Sequence, residues 1–257
     1  MNIVISGIGG HMGAEVYKLC EACCRGAVCI AGVDPYRDMG GGAVKSAIEA
    51  GIPLYESFEA LPAGLKDACI IDFSHHSATE NLTGYAVRNN VPLVIATTGQ
   101  TEEERQMIDE AAGSIPVFFA ANYSLGIALL IELAKKTAAA MPDAEIEIIE
   151  KHHDRKIDAP SGTALAIARA IKEVRPEATF NLGRSGNGKR KKEEIGIHAI
   201  RMGNIVGEHE VIVGTQNQTI TLKHEAHSRA LFAEGAIDAA EFIIGKPAGL
   251  YGMTDLV

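Results

Sequence analysis

Two rhythms of apolar and polar residues alternate through the first half of the chain. Short β-branched runs at residues 2–6, 28–34, 67–72, 92–96 and 117–120 read as buried strands. Between them, apolar residues recur three and four apart. The first such stretch, 11–24, puts Met12, Val16, Leu19 and Cys20 on one helical face, and 43–50, 77–89 and 102–112 read as further helices. Strands separated by helices of this length form βαβ units on a parallel sheet. The predicted architecture is an α/β, doubly wound layer of the Rossmann type.

The rhythm changes near Asn122. An apolar helix is predicted at 124–140, then a strand at 144–150 in which Glu and Ile alternate, and a helix at 161–174. Strands follow at 195–201, 209–214 and 219–224, and the run Thr219-Ile-Thr-Leu-Lys223 alternates polar with apolar. Such alternation marks a sheet with one face turned away from the core. A final helix is predicted at 231–244, before a short tail. The expectation is one domain built from 1–122 and 229–257, and a second, α+β domain with an open mixed sheet, 123–228. The Gly/Ser/Lys/Arg stretch 183–192 reads as a mobile loop.

Composition narrows the possible partners. The chain has 257 residues, 47% of them hydrophobic and 22% charged, and carries a net charge of -9. That balance argues against nucleic acid, whose phosphates require a basic face. No apolar run approaches the ~20 residues of a membrane span, so no membrane partner is expected. The opening Met-Asn-Ile-Val-Ile-Ser-Gly7 enters a strand without a basic leader, which predicts a cytoplasmic protein. The five cysteines are an odd number and read as reduced thiols. Cys20, Cys23 and Cys24 fall late in the first predicted helix, where a thiolate gains nothing from the helix dipole, and read as small packing residues rather than a metal site.

Two motifs carry the chemistry. Gly7, Gly10 and Gly13 form G-x-x-G-x-x-G between a strand and a helix. Such a turn is tight, brings backbone close to a pyrophosphate, and aims free helix amides at it. Asp34 ends the second strand, roughly 20 residues on, where an acid hydrogen-bonds ribose hydroxyls and favours NAD. Arg37, close by, suits a 2′-phosphate instead, so both cofactors stay open. Ala96-Thr97-Thr98-Gly99 and Ala120-Ala121-Asn122-Tyr123 follow later strands and face the same crevice.

The second motif is Glu150-Lys-His-His-Asp-Arg-Lys-Ile-Asp-Ala-Pro-Ser-Gly-Thr163. An imidazole is the side chain suited to exchanging protons at working pH, which makes His152 and His153 acid/base candidates. Lys151, Arg155 and Lys156 surround them with positive charge that attracts carboxylates, and Lys156 is a candidate proton donor. Ser161 is a plausible helix N-cap, after which Gly162 and Thr163 offer amides and a hydroxyl to an anion.

These stretches, with Asp72-Phe-Ser74, Gly203-Asn-Ile-Val-Gly-Glu-His209 and His227-Ser-Arg-Ala-Leu-Phe-Ala233, resemble the dihydrodipicolinate reductase family over nearly the whole chain. The resemblance implies reduction of a cyclic imine dicarboxylate with NADH or NADPH, or both, in lysine and diaminopimelate biosynthesis. It implies His152 as acid/base, Lys156 as proton donor, and His153, Gly162 and Thr163 on the carboxylates. By the same resemblance Gly7, Ile8, Gly9, Gly10, His11 and Met12 hold the pyrophosphate, and Asp34 the adenosine ribose. Ala96, Thr97 and Thr98, with Ala120, Ala121, Asn122 and Tyr123, then flank the nicotinamide. It further implies a homotetramer and a domain closure about Asn122 and Arg229. The chain departs from the common pattern at Ile8, His11, Tyr123 and Pro35, the last where an Arg often assists NADPH. The alternative is another two-domain Rossmann dehydrogenase of a small amino acid or polyol. Such enzymes share the glycine turn but lack His-His-x-x-Lys ahead of Pro-Ser-Gly-Thr.

Overall fold

The structure, a computed structural model, describes residues 1–36, 41–65 and 67–257. The chain divides into one unit of Met1–Ser124 with Ala230–Leu256 and a second of Leu125–Arg229.

The first unit begins β1 (Asn2–Ser6), α1 (His11–Glu21), β2 (Val28–Val33), α2 (Gly42–Glu49), β3 (Leu54–Tyr55) and β4 (Ala68–Asp72). It continues α3 (Thr79–Asn89), β5 (Leu93–Ile95), α4 (Glu102–Ala112) and β6 (Pro116–Phe119). With β12 (Gly249–Tyr251) from the far end of the chain, these strands form one seven-stranded parallel sheet ordered β12-β6-β5-β4-β1-β2-β3. Helices cover both faces, which is why the strand sequences are apolar throughout. Ile3, Ile5, Ile71, Val94 and Phe118 pack on one side and Val4, Ile70, Leu93, Ile95 and Val117 on the other. α4 starts at a capping box: Thr101 Oγ1 accepts the Glu104 N–H while the Glu104 carboxylate accepts the Thr101 N–H.

In the second unit, α5 (Leu125–Ala140) leads to β7 (Glu145–His152) and α6 (Gly162–Val174). β8 (Thr179–Asn181), β9 (Glu194–Arg201), β10 (Gly207–Gly214) and β11 (Thr219–Ala226) complete it. The chain then returns to the first unit through α7 (Ala230–Ile243) and β12 (Gly249–Tyr251). The sheet, ordered β11-β10-β7-β9-β8, is mixed: β7 and β9 are parallel, and β10 is antiparallel to both neighbours. Helices α5 and α6 bury Ile127, Leu130, Ala134, Ile167 and Ile171 against the inward residues of β7, β9 and β10.

Several boundaries differ from the pattern-based reading. The helix expected at 11–24 stops at Glu21, because Cys23 is left-handed (φ 51°) and a tight turn at Cys24–Gly26 follows. Cys20 is therefore in the helix and buried, while Cys23 is exposed beyond it. The strand expected at 144–150 runs on through His152, because Lys151 pairs with both β9 and β10 and His152 with β9. His152 is thus a strand residue rather than a loop residue. The edge strands β3, β8 and β12 are two or three residues long, too short to show a period.

Helix α7 reaches the first sheet at Gly235, where an added Cβ would lie 1.7 Å from the Tyr123 carbonyl oxygen. Gly235→Ala is therefore expected to cost about 1–3 kcal/mol of stability through overpacking. A lowered midpoint of urea unfolding would register it.

Candidate active site

The glycine turn is shaped by contact, not only by flexibility. Gly7 has φ +79°, and a Cβ there would stand 2.6 Å from the Phe73 carbonyl oxygen. A Cβ on Gly13 would stand 2.1 Å from the Gly7 oxygen, so only glycine lets α1 begin this close to β1. Gly10 is the N-cap and provides no side-chain acceptor, which leaves the first-turn amides of α1 for an external anion. Ile8 is fully buried in the core, so only its backbone is available there, whereas Gly10 and His11 are exposed, with Gly9 and Met12 half-buried.

Asp34 is 7% exposed and its carboxylate braces this turn. Oδ2 accepts the Gly9 N–H at 2.9 Å and Oδ1 the Tyr36 N–H at 2.8 Å. Among the described residues these are its hydrogen bonds, which leaves a second acceptor direction on each oxygen for a ribose hydroxyl. Gly7, Gly9, Gly10, Asp34, Phe73 and Ser74 are among the residues lining a cavity of about 380 Å³. A pyrophosphate cradle that any Cβ would fill, uncovered helix amides and an acid at the next strand end fit a dinucleotide. Arg37 lies outside the described residues.

The other two strand ends differ from the simple picture of small residues facing a ligand. Thr97 turns inward and donates Oγ1–H to Asp72 Oδ2 at 2.6 Å, while Ser74 donates to Oδ1 at 2.5 Å. Asp72 is 2% exposed and was given no role by its sequence position. Burial pushes its carboxyl up, against hydrogen bonds from Ser6, Ser74 and Thr97. It ties together the loops that leave β1, β4 and β5. Ala96 is half-buried and Thr98 exposed. The Tyr123 side chain lies in the core, 2% exposed, with its hydroxyl directed at the Ile95 and Phe118 carbonyls, 2.8 and 3.1 Å away. The ring is thus occupied within the core, and its backbone is the part available to a ligand. Ala121 is exposed, Ala120 and Asn122 are half-buried, and Asn122 Oδ1 accepts the Ser124 N–H at 2.8 Å.

In the second unit the inward row of β7 reads Ile146, Ile148, Glu150, His152, so it turns polar as it reaches α6. Glu150 is fully buried. Arg201 grips it in a fork, Nη1 to Oε2 at 2.8 Å and Nη2 to Oε1 at 2.7 Å. The Ser161 N–H donates to Oε1 at 2.9 Å, and His152 Nδ1 lies 2.5 Å from Oε2. Burial alone would raise the Glu150 carboxyl, but the donors from His152, Arg201 and Ser161 outweigh it and hold it down at about 2. An ionised carboxylate only accepts, so His152 carries its proton on Nδ1 and turns Nε2 to exchange.

His209 stands across from Glu150 in the β7–β10 register, edge-on to His152 at 5.2 Å between ring centroids. Its Nε2 is 3.1 Å from Ser161 Oγ, which also caps α6 by accepting the Ala164 N–H at 3.2 Å. Burial first, then the neighbouring His152, pushes His209 down to about 4. Glu150, Arg201 and His209 were missed as functional positions. The available signal was a charged residue continuing an inward Ile row, and that signal has no meaning until the strand register is known.

The cations of this loop carry their own counterions. Lys151 pairs with Glu208 at 2.8 Å, Arg155 with Asp154 at 2.9 Å and Lys156 with Asp158 at 2.7 Å. The unopposed positive cluster expected from the run of Lys and Arg is thereby corrected to a balanced one. Gly162 is exposed and an added Cβ there would meet no atom within 4 Å, so no side chain crowds the first residue of α6, while Ser161 Oγ accepts the Ala164 N–H. His153 is half-buried, and its Nδ1 is buried without a hydrogen-bond partner among the described residues. Burial, then Arg155 and Arg229, lower its pKa. The structure gathers His152, His153, Lys156, Gly162 and Thr163 at one end of the second sheet.

Comparison with known proteins covers the whole chain. Residues 1–123 match the family profile described as "Dihydrodipicolinate reductase, N-terminus" and 126–257 the one described as "Dihydrodipicolinate reductase, C-terminus". A 4-hydroxy-tetrahydrodipicolinate reductase of Caldanaerobacter subterraneus subsp. tengcongensis is 44% identical, covering 100% of this chain and 98% of the relative. One from Clostridium novyi is 40% identical over 99% and 97%. A solved structure, a dipicolinate-bound dihydrodipicolinate reductase from Paenisporosarcina sp. TG-14, superposes with a TM-score of 0.78 at 26% identity, covering 100% of this chain and 99% of that one.

The buried polar centre makes stability pH-dependent. Unfolded Glu150 protonates near its ordinary 4.5 and the folded residue only near 2, so its contribution is complete above about 4.5 and lost as pH falls toward 2. Unfolded His209 protonates near 6.5 and folded His209 near 4, so its share is complete above about 6.5 and lost toward 4. Urea titrations across this range are expected to show unfolding free energy falling in two stages. Glu150→Gln should flatten the lower stage and His209→Gln the upper.

Proposed function

The chain belongs to the dihydrodipicolinate reductase family, and from that premise we infer that it reduces 4-hydroxy-tetrahydrodipicolinate to tetrahydrodipicolinate with loss of water, a step of lysine biosynthesis. The observation that carries the reading is the carboxylate-anchored His152 at the end of β7, followed in the same loop by the Lys156 cation and the uncrowded Gly162 at the start of α6. Those groups suit a small dianion that must receive a proton.

A nicotinamide cofactor, NADH or NADPH, supplies the hydride when bound. Its pyrophosphate is assigned to the backbone of Gly7, Ile8, Gly9, Gly10, His11 and Met12. Asp34 takes the adenosine ribose, and Ala96, Thr97 and Thr98 with the backbone of Ala120, Ala121, Asn122 and Tyr123 take the nicotinamide. Uncapped amides at α1 and the acceptor directions that Asp34 keeps free among the described residues support this.

The substrate's carboxylates are assigned to His153, Gly162 and Thr163, supported by His153 Nδ1, unpartnered among the described residues, and by the N-terminus of α6. Hydride arriving on a conjugated ring leaves an electron pair that a proton must meet. Glu150 fixes the tautomer of His152, so that Nε2 is the atom that gives or takes that proton. Lys156, a cation 23% exposed, is the proton donor in this scheme. Its ammonium also offsets the negative charge that grows on the ring. We further propose a cytoplasmic homotetramer built through the second sheet. Ile220 on the edge strand β11 and Ile200 on β9 are 39% and 38% exposed, apolar surface that such an assembly would cover.

The test is oxidation of NADH and of NADPH by the purified chain, each supplied with the condensation product of pyruvate and aspartate semialdehyde. Turnover should require that product. His152→Gln and Lys156→Met should each lower kcat by ~10²–10⁴-fold, the usual worth of a positioned acid or base, with little change in cofactor affinity. Full turnover in both variants would remove the assigned chemistry.

A further inference from the structure

We propose that Asp158 is an internal stand-in for a substrate carboxylate, which holds the substrate's donors until the substrate displaces it. The inference rests on the reading of Lys156 and Gly162 as substrate-binding groups. Its basis is what those groups do in the folded chain. The Asp158 carboxylate accepts the Lys156 ammonium at 2.7 Å. Its carboxyl is held below the usual range first by that ammonium, and also by the amides of Asp158 and Gly162. A side-chain carboxylate of this chain therefore satisfies one cation and one α6 amide assigned to the ligand. A donor pair of this kind serves one carboxylate at a time.

The surroundings suit a group that leaves without disturbing the fold. The backbone on either side is pinned: the Asp158 carbonyl accepts Arg201 Nη2 at 2.6 Å, and the Ser161 N–H is held by Glu150 at 2.9 Å. The Asp158 side chain itself is 51% exposed, and its neighbour Ile157 is 99% exposed and packs on nothing. Rotation of one side chain into water thus releases Lys156 and the amide while the loop stays in place. Until then the stand-in keeps a cation and helix amides from capturing passing anions. A ligand with two carboxylates, gripped at a second point by His153 or Thr163, gains enough to displace it.

The experiment measures binding of pyridine-2,6-dicarboxylate by calorimetry to the cofactor-loaded full chain. If Asp158 occupies the site most of the time, apparent affinity is reduced by the unblocked fraction, and Asp158→Asn is expected to bind the probe about tenfold more tightly. Asp158→Ser should do the same, which guards against an effect peculiar to the amide. Asp154→Asn removes a carboxylate of the same loop that pairs with Arg155 instead, and should change affinity less than about twofold, as expected of an exposed pair. Equal tightening in Asp154→Asn and Asp158→Asn would assign the effect to general charge and overturn the proposal. Unchanged or weaker binding in both Asp158 variants would overturn it as well and leave Asp158 a structural brace. Lys156→Met separates the two levels. It should weaken binding if the parent reading holds, and unaltered affinity there would remove the substrate assignment itself.

Discussion

Everything at the polar end of the second sheet depends on one carboxylate that has no access to water. Glu150 sits where a hydrophobic residue would continue the Ile146, Ile148 row, and a charge in that position survives only if every lone pair is engaged. Arg201 from β9, the Ser161 amide from the start of α6, and His152 from the same strand engage them. The same four contacts fix the tautomer of His152, the position where α6 begins, and the approach of β9. A helix start, a strand pairing and an imidazole orientation are thereby made one decision. A substitution that relieves the buried charge would also free the imidazole, so stability and chemistry are linked here.

The first unit solves a related problem with Asp72. It closes β4 at the carboxyl end of the parallel sheet and collects hydroxyl donors from Ser74 and Thr97, with Ser6 also bonding to it. The outcome differs because the side-chain donors described around it, on Ser6, Ser74 and Thr97, are all neutral. Burial dominates and its carboxyl rises, whereas Glu150, gripped by a guanidinium, falls. Two buried carboxylates at strand ends are thus pushed in opposite directions, and the donors from His152, Arg201 and Ser161 around Glu150 make the difference.

The alternation of strands and helices up to residue 120 was readable because a two-sided parallel sheet makes whole strands apolar, as β1 and β4 are. The mixed character of the second sheet was readable from β11, where polar and apolar residues alternate. The glycine turn and the His-His loop were legible as clusters of chemistry close together in sequence. Glu150's partners were not, since Arg201 and His209 lie 51 and 59 positions away and meet it only through the β7–β9 and β7–β10 registers. Nor was the inward turn of Thr97 and Tyr123: a hydroxyl beside a strand end looks the same in sequence whether it faces a ligand or a buried acid. Counting Lys and Arg near the imidazoles overstated the local charge, because Glu208 is on a different strand.

The cysteines, of little weight in the chemistry, grade the first unit by depth. Cys23 is exposed beyond α1, Cys20 and Cys29 are buried with thiols pushed up to about 12, and Cys69 lies fully enclosed in the middle of the parallel sheet. A thiol must be both uncovered and ionised to react. Alkylation of the native chain would therefore reach exposed Cys23 first and half-buried Cys24 after it, and Cys20, Cys29 and Cys69 only as fast as the surrounding layers come apart. The molecule thus contains its own depth gauge for local opening, with no label to be introduced and no residue of the site to be altered.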